Sequence, residues 1–286
     1  MYSQSITRAH RSAFVLLIDG SGSMTEEVRF QSESLSKAAA VARIANELIY
    51  ELIERARRSE GVRNYYDIAI LNYSGDHEVC SLFDGGKPKF MAITELAERP
   101  TATVRTVEAF RRPDGTTQLH AIDTPQWVQP HASGNTPMLK ALRVARDLIA
   151  EWCADPANTH SFPPIIFNIT DGEASDGSDE ELREAARRIQ TIGTADGTAL
   201  LFNIHIASDE RERTLFCPSE EEALHPNRYA QLLYDASSEL PVCFNEAIRS
   251  IKGATAMPPF RGMSFNASAL EVIALLNIGS ISIKTE

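Results

Sequence analysis

The fold of this chain is decided by the stretch Ala13-Phe14-Val15-Leu16-Leu17-Ile18-Asp19-Gly20-Ser21-Gly22-Ser23. Its six consecutive apolar residues predict a strand that is buried on both faces, as in a parallel sheet covered by helices. The strand ends at Asp19, and two glycines then allow a tight turn that brings Ser21 and Ser23 to the side of the carboxylate. A carboxylate and two hydroxyls at the carboxyl end of a central strand suit a hard cation that prefers oxygen ligands.

Two later stretches add to this pattern. Residues 163–170, Pro-Pro-Ile-Ile-Phe-Asn-Ile-Thr, predict a second buried strand, which ends at Asp171. Residues 133–138, Ser-Gly-Asn-Thr-Pro-Met, contain Thr136 and form a glycine turn that opens a long helical pattern. Taken alone, such a threonine is more typical of a helix N-cap, and an aspartate before a glycine is more typical of an ordinary turn. Their joint occurrence with Asp19, in this order and on these elements, favours a common site instead.

The set Asp19, Ser21, Ser23, Thr136 and Asp171 resembles the complete five-residue metal-ion-dependent adhesion site of von Willebrand factor A domains. The resemblance implies a bound Mg²⁺, with Mn²⁺ or Ca²⁺ as alternatives. It implies that the two serines, and sometimes the threonine, bind the ion directly, while the two aspartates hold it mainly through water. An open position on the ion then accepts an Asp or Glu carboxylate from a protein partner.

The resemblance covers roughly residues 12–250 and extends to finer details. The stretches 133–138, 169–173 (Ile-Thr-Asp-Gly-Glu) and 261–267 (Arg-Gly-Met-Ser-Phe-Asn-Ala) are similar to an intracellular bacterial branch of the family. That branch includes the tellurium-resistance type, whose members are often encoded beside kinases, phosphatases or ATPases. The resemblance therefore implies a protein-interaction module in a bacterial stress-response, signalling or defence system.

The expected architecture is an α/β fold with a doubly wound, mostly parallel, six-stranded sheet. It has one antiparallel edge strand, helices on both faces and the strand order 3-2-1-4-5-6. In this order the first and fourth strands are neighbours, and ligands bind at their carboxyl ends. Asp19 ends the first strand and Asp171 the fourth, so both carboxylates should face one crevice, with Thr136 entering from the loop between them.

Shorter patterns complete the expected order of elements. Helical periodicity extends from Ser34 to about Gly61, and further patterns predict helices over residues 91–98, 136–152, 178–192, 228–237, 242–251 and 268–276 and strands over 67–73, 77–83 and 199–206.

The chain is expected to divide into three parts. Residues 1–11 form an N-terminal tail, and residues 12–252 form the von Willebrand A-type domain. Residues 253–286 form a C-terminal loop and a helix that packs on the domain, with the loop over the Pro- and Gly-rich residues 253–265. The length of 286 residues is consistent with one large domain and its appendages.

An insertion is expected at about residues 85–132, because Ser23 and Thr136 are far apart for this family. Two β-like runs, Thr103–Phe110 and Thr116–Ile122, flank the turn signal Pro-Asp-Gly at residues 113–115 and predict a β-hairpin. Two interpretations are open. The hairpin either extends the edge of the sheet or overhangs the metal face and shapes the choice of partner.

Composition excludes several classes of function. There are 28 Lys and Arg residues against 39 Asp and Glu, so the formal charge of −11 repels nucleic acids and anionic membranes. The polar start of the chain and the short first apolar run predict neither a signal peptide nor a membrane span, and hence a cytoplasmic protein. Four cysteines without Cys-x-x-Cys spacing are typical of reduced thiols.

Two other functions compete with an interaction module, which would not be an enzyme. A Mg²⁺-dependent phosphohydrolase would use Asp19 as its nucleophile, but such enzymes usually place a second aspartate where this chain has Ser21, and a lysine near the phosphate. The sequence suggests neither group. Nucleotide binding is the weakest hypothesis, because the Gly-rich phosphate-binding motifs are absent from the sequence.

A cluster of acidic residues follows the second buried strand. Glu173, Asp176 and Asp179 could bind an accessory cation. Such a cluster more often stabilises a helix N-terminus electrostatically, and that interpretation is preferred.

Overall fold

Alternation along the first strand organises two cores, one on each face of a central sheet. In a computed structural model of the chain, Phe14, Leu16 and Ile18 point into one core, while Val15 and Leu17 point into the other. The continuous apolar run is therefore a strand whose two faces are both covered. The structure describes residues 2–30, 33–75, 78–84, 86–111, 117–206, 213–223 and 226–281.

Eight strands form this sheet within the described residues. In chain order they are β1 Ser12–Asp19, β2 Tyr66–Ser74, β3 Glu78–Ser81, β4 Met91–Ala92, β5 Ile165–Thr170, β6 Leu200–Ile206, β7 Leu215–Phe216 and β8 Met263–Ala267. Their order across the sheet is β7-β8-β6-β5-β1-β2-β3, and β4 also pairs with β2. The five strands β2, β1, β5, β6 and β8 are parallel, whereas β3, β4 and β7 are antiparallel.

Helices cover both faces of the sheet. The α-helices are α1 Lys37–Ala56, α2 Ile93–Glu98, α3 Met138–Ala154, α4 Asp179–Ile189, α5 Arg228–Ala236, α6 Asn245–Lys252 and α7 Ala269–Ile281, and short 3₁₀ turns lie at Gly22–Thr25, Pro156–Asn158 and Val242–Phe244. Residues of α1 and α7 belong to the core on one face, and residues of α3, α4 and α5 to the core on the other. None of the described helices combines the length and apolarity that a membrane span requires.

The predicted α/β class and mostly parallel sheet are confirmed, but the described part of the chain contributes eight strands to the sheet instead of six. Three strands were not predicted from the sequence: β8, which is described below, and the pair β4 and β7. These last two have only two residues each, which is too short for any alternating pattern to be visible in the sequence. Both are antiparallel, so the sheet has three antiparallel strands instead of one. That the four cysteines are reduced thiols stays a prediction.

The C-terminal region differs from its predicted structure. The loop prediction for residues 253–265 is wrong at its end, because Met263–Ala267 form strand β8 and pair in parallel with β6. All five residues are buried, but the polar Ser264 and Asn266 interrupt the apolar pattern and conceal the strand. Helix α7 follows and packs on α1 and β8. The division at residue 252 stays a prediction.

The segment after the serine turn also differs. Helical structure was predicted from Ser34, whereas Glu27–Phe30 and Glu33–Ser36 form an antiparallel hairpin and the helix begins at Lys37. The helix ends at Ala56, before the expected end near Gly61. The exposed hairpin places few side chains in the core, so its sequence has no apolar face that would reveal it.

The predicted insertion contains the predicted hairpin. Strands Ala102–Arg111 and Thr117–Gln126 pair with each other as a separate two-stranded sheet, so the interpretation as an extension of the central sheet is wrong. The Pro-Asp-Gly turn at 113–115 lies outside the described residues. Asn46 of α1 holds the base of the hairpin, because its Oδ1 accepts hydrogen bonds from the backbone amides of Trp127 (2.7 Å) and Val128 (3.0 Å).

Candidate metal centre

Asp19 is fixed at the carboxyl end of β1. Its side chain is fully buried; Oδ1 accepts a hydrogen bond from the Ser21 amide (2.9 Å), and Oδ2 accepts one from Thr170 Oγ1 (2.7 Å). Thr170 ends β5, the neighbour of β1. Burial raises the pKa of Asp19 to about 6, although the hydrogen bonds from Thr170 and Ser21 act in the opposite direction. A cation beside this carboxylate would favour its ionised form.

The two predicted hydroxyls come together beside Asp171. Ser21 Oγ lies 3.1 Å from Ser23 Oγ, and Ser23 Oγ donates a hydrogen bond to Asp171 Oδ1 at 2.7 Å. A 3₁₀ turn at Gly22–Thr25 produces this approach. Neighbouring ligands of an octahedral Mg²⁺ are about 3.0 Å apart when each lies about 2.1 Å from the ion. Both separations are therefore close to the distance between neighbouring ligands of one small cation.

Hydrogen bonds connect the loop that carries Thr136 to both aspartate loops. On one side the Gly134 carbonyl accepts from the Gly22 amide at 2.9 Å. On the other side the Thr136 amide donates to Ser175 Oγ (3.1 Å), and the Ser175 amide donates to the Thr136 carbonyl (2.9 Å). Thr136 is buried and precedes Pro137, the N-cap of α3, so it is not itself the N-cap.

A lysine that the sequence analysis missed completes the centre. Lys37 Nζ lies 2.9 Å from Asp171 Oδ2 and 2.6 Å from Glu26 Oε2, and its side chain is only 2% exposed. The sequence suggested no lysine near this site, and the structure places Lys37 there. A signal was present in the sequence, because Lys37 lies in register with the buried residues Val41 and Ile44 on the apolar stripe of α1.

A buried polar network supports the centre from within the protein. Tyr229 of α5 donates a hydrogen bond to the carbonyl of Gly172, the residue after Asp171. Tyr73 donates to Asn168 Oδ1 at 2.9 Å. Burial raises the pKa of both phenols above the ordinary tyrosine value, so both remain hydrogen-bond donors at neutral pH.

The acidic cluster after β5 does not form a second centre. Asp176 caps α3, because its two carboxylate oxygens accept hydrogen bonds from the amides of Leu139 (2.9 Å) and Lys140 (2.8 Å). Asp179 pairs with Arg228 at 2.7 Å. Among the residues that the structure describes, no three His, Cys, Asp or Glu side chains are grouped to hold a metal. The donors around Asp19 are instead two carboxylates with hydroxyls.

Comparison with known proteins gives structural matches only. No family model matches the sequence, and no curated protein matches it. One similar structure is the von Willebrand factor type A protein from Catenulispora acidiphila, with 15% identity, a TM-score of 0.40 and coverage of 70% of this chain and 34% of that chain. Another is the vWF domain of the type V pili tip protein Mfa5 from Porphyromonas gingivalis, with 17% identity, a TM-score of 0.30 and coverage of 58% and 39%.

The pilus adhesin SpaC from Lactobacillus rhamnosus GG is also similar, with 12% identity, a TM-score of 0.47 and coverage of 96% of this chain and 30% of that chain. Two of these three structures are described as von Willebrand factor domains. This chain spans well under half the length of each of them, and the similarity concerns the fold alone.

Proposed function

We propose that this chain is a von Willebrand A-type domain that binds a protein partner through Mg²⁺, with Mn²⁺ or Ca²⁺ as alternative ions. Asp19, Ser21, Ser23, Thr136 and Asp171 would hold the ion. The observation that carries this proposal is the run of oxygens from Ser21 to Ser23 to Asp171, with separations of 3.1 and 2.7 Å. These separations match adjacent ligand positions around a small octahedral cation.

The residues of the chain orient the donors. Thr170 and the Ser21 amide fix the two oxygens of Asp19, and Ser23 fixes one oxygen of Asp171. The hydroxyls are neutral donors, so only two carboxylates offset the charge of a divalent ion. The bound ion would supply a positive charge that attracts an Asp or Glu carboxylate of the partner.

The proposed setting is the bacterial cytoplasm. The stretches 133–138, 169–173 and 261–267 support it through their resemblance to the intracellular branch, which suggests a kinase, phosphatase or ATPase as partner in stress response, signalling or defence. The net charge of −11 opposes nucleic acid and anionic membranes as alternative partners.

Metal binding is the first test. Mg²⁺ should raise the thermal unfolding midpoint of the wild-type chain, and excess EDTA should abolish the rise, because an ion that binds only the folded state stabilises it. Asp19→Asn preserves the shape of the side chain and should lose the rise. Asp147→Asn removes an exposed carboxylate on α3 and should retain it. An equal Mg²⁺ effect in Asp19→Asn and the wild type would refute the proposed site.

Partner binding is the second test. A partner retained by the Mg²⁺-loaded wild type should be released by EDTA and should not be retained by Asp19→Asn. Substitution of the partner's contacting Asp or Glu by its amide should abolish retention as well. Retention that survives both EDTA and Asp19→Asn would contradict recognition through the ion.

The phosphohydrolase alternative gains one supporting observation, the presence of Lys37 beside Asp171. Two features oppose it. Asp19 is fully buried with both oxygens accepting hydrogen bonds, and the lysine is paired with two carboxylates. The proposed function therefore assigns no catalytic step to the site. Hydrolysis of a phosphate ester by the wild type, lost in Asp19→Asn, would favour the enzyme instead.

A further inference from the structure

The position of Lys37 is fixed by hydrogen bonds at the start of α1. Strands Glu27–Phe30 and Glu33–Ser36 pair with each other next to the serine turn, and the Lys37 amide donates to the Glu26 carbonyl at 2.8 Å. Ser36 caps α1 by accepting a hydrogen bond from the Ala39 amide. Both contacts fix the first residue of the helix. Lysine is almost never fully buried unless it is paired, and here the 2% exposed side chain reaches the metal centre.

The ammonium compensates a buried charge. The Asp171 side chain is fully buried and lies 2.9 Å from Lys37 Nζ. A carboxylate in this position without a positive partner would be strongly destabilising. Glu26, the second partner of the ammonium at 2.6 Å, has a side chain that is 61% exposed, so water screens that pair much more. The contact with Asp171 is therefore expected to contribute more to the stability of the fold than the contact with Glu26.

The same carboxylate belongs to the proposed metal donors. An ion bound beside Ser23 and Asp171 would place a divalent charge next to the ammonium, and the two cations would repel each other. We propose that the Lys37 ammonium competes with the divalent cation for Asp171 and thereby sets the metal affinity of the site. Glu26 offers the ammonium a second partner when the ion takes Asp171. This inference rests on the proposed function, because it requires that the site binds a metal.

Substitution of Lys37 should strengthen the binding of Mg²⁺ and, at the same time, destabilise the metal-free fold. Lys37→Met keeps most of the aliphatic chain and removes the charge. The dissociation constant for Mg²⁺, measured by titration calorimetry, should fall about tenfold, as expected for the removal of one charge within contact distance. The thermal unfolding midpoint in EDTA should fall as well, because Asp171 is left without its partner. A purely structural lysine would produce the second effect without the first.

Two further variants separate competition from a general effect of charge. Glu26→Gln leaves the ammonium with Asp171 as its carboxylate partner and should raise the dissociation constant for Mg²⁺. It alters an exposed residue, so an unchanged dissociation constant in this variant would still overturn the competition if Lys37→Met fails to fold. Lys140→Met removes an equal charge from the exposed side of α3, near Thr136. The dissociation constant of this control should change less than about twofold.

The outcomes distinguish this inference from the proposed function. Equal Mg²⁺ affinities in the wild type, Lys37→Met and Glu26→Gln would overturn the competition and leave the metal site intact. Absence of Mg²⁺ binding from the wild type and from Lys37→Met would overturn both. Binding in Lys37→Met at a concentration where the wild type binds none would support the competition in its strongest form.

Discussion

Gly134 is the residue at which two loops of the candidate metal centre meet. Its φ angle is +70°, and a Cβ atom there would lie 2.5 Å from the Cα of Gly75. Its carbonyl accepts the hydrogen bond from Gly22 that joins the Thr136 loop to the serine turn. A side chain at this position would therefore strain the backbone and also push the Thr136 loop away from Gly75, the residue after β2.

Gly134→Ala should lower the free energy of unfolding by about 2–4 kcal/mol, the sum of a left-handed backbone penalty and overpacking. Gly172→Ala is the matched control beside Asp171, since a Cβ there meets no atom within 4 Å. The control should lose under about 1 kcal/mol. Urea unfolding of both variants without metal measures the difference, and equal losses would show that the Gly75 contact is unimportant.

The sequence allowed the prediction of five site residues because each lies at a recognisable strand end or turn. The structure brings Ser21, Ser23 and Asp171 into contact, whereas metal binding stays a prediction. The position of Lys37 on the apolar stripe of α1 was visible in the sequence, but its contact with the site was not. Its partner Asp171 is 134 residues away in the chain, so no local pattern links the two charges.

At the scale of elements, one side chain of α1 anchors the base of the inserted hairpin. Asn46 accepts from the amides of Trp127 and Val128 and donates through Nδ2 to the Val128 carbonyl at 2.9 Å. The indole of Trp127 donates to the carbonyl of Leu96 at 2.7 Å. These buried contacts fix the direction in which the hairpin leaves the domain. Whether it shapes partner choice stays a hypothesis.

Asn46→Ala should therefore cost about 3 kcal/mol of unfolding free energy, because it leaves buried backbone groups without partners. The amides of Trp127 and Val128 should lose protection from hydrogen exchange by more than those of β1. Glu47→Ala, at the exposed neighbouring position on α1, is the control and should change stability by less than about 0.5 kcal/mol. Unchanged amide protection in Asn46→Ala would contradict the anchoring role.

Helices and strands could be predicted where burial produced a recognisable pattern of apolar residues in the sequence. Strands β1, β5 and β6 are apolar runs covered on both faces, and α3 and α4 have clear apolar stripes. Strand β8 was not predictable, because Ser264 is buried there as a polar residue whose hydroxyl donates to the Leu215 carbonyl at 3.1 Å. A polar residue that is satisfied inside the protein looks, in the sequence, like a surface residue.

At the scale of the whole molecule, the C-terminal region is part of the sheet and of its core. Strand β8 lies between β6 and β7, and Val272 and Leu275 of α7 are fully buried. Gly279 lies so close to Phe167 of β5 that a Cβ atom would be 2.5 Å from its ring. These contacts predict that a chain ending at residue 252 cannot cover one face of its sheet.

Truncation tests this expectation. A chain that ends at Gly262 should lose cooperative unfolding in urea, because it lacks β8 and the buried face of α7. A chain that lacks only residues 282–286 is the control and should unfold with the cooperativity of the full chain. Retained cooperativity in the shorter chain would instead support an independent domain over residues 12–252.

The pairing of β1 with β5 has a consequence for how the protein is made. Asp19 and its hydrogen-bond partner Thr170 are separated by 151 residues, and β8 joins the sheet still later in the chain. Contacts between such distant segments form slowly and late in folding. A ribosome must therefore synthesise most of the chain before the two halves of the site can meet. An ion cannot guide the early steps, because β1 can pair with β2 early but meets its other neighbour, β5, only after more than half of the chain has been translated.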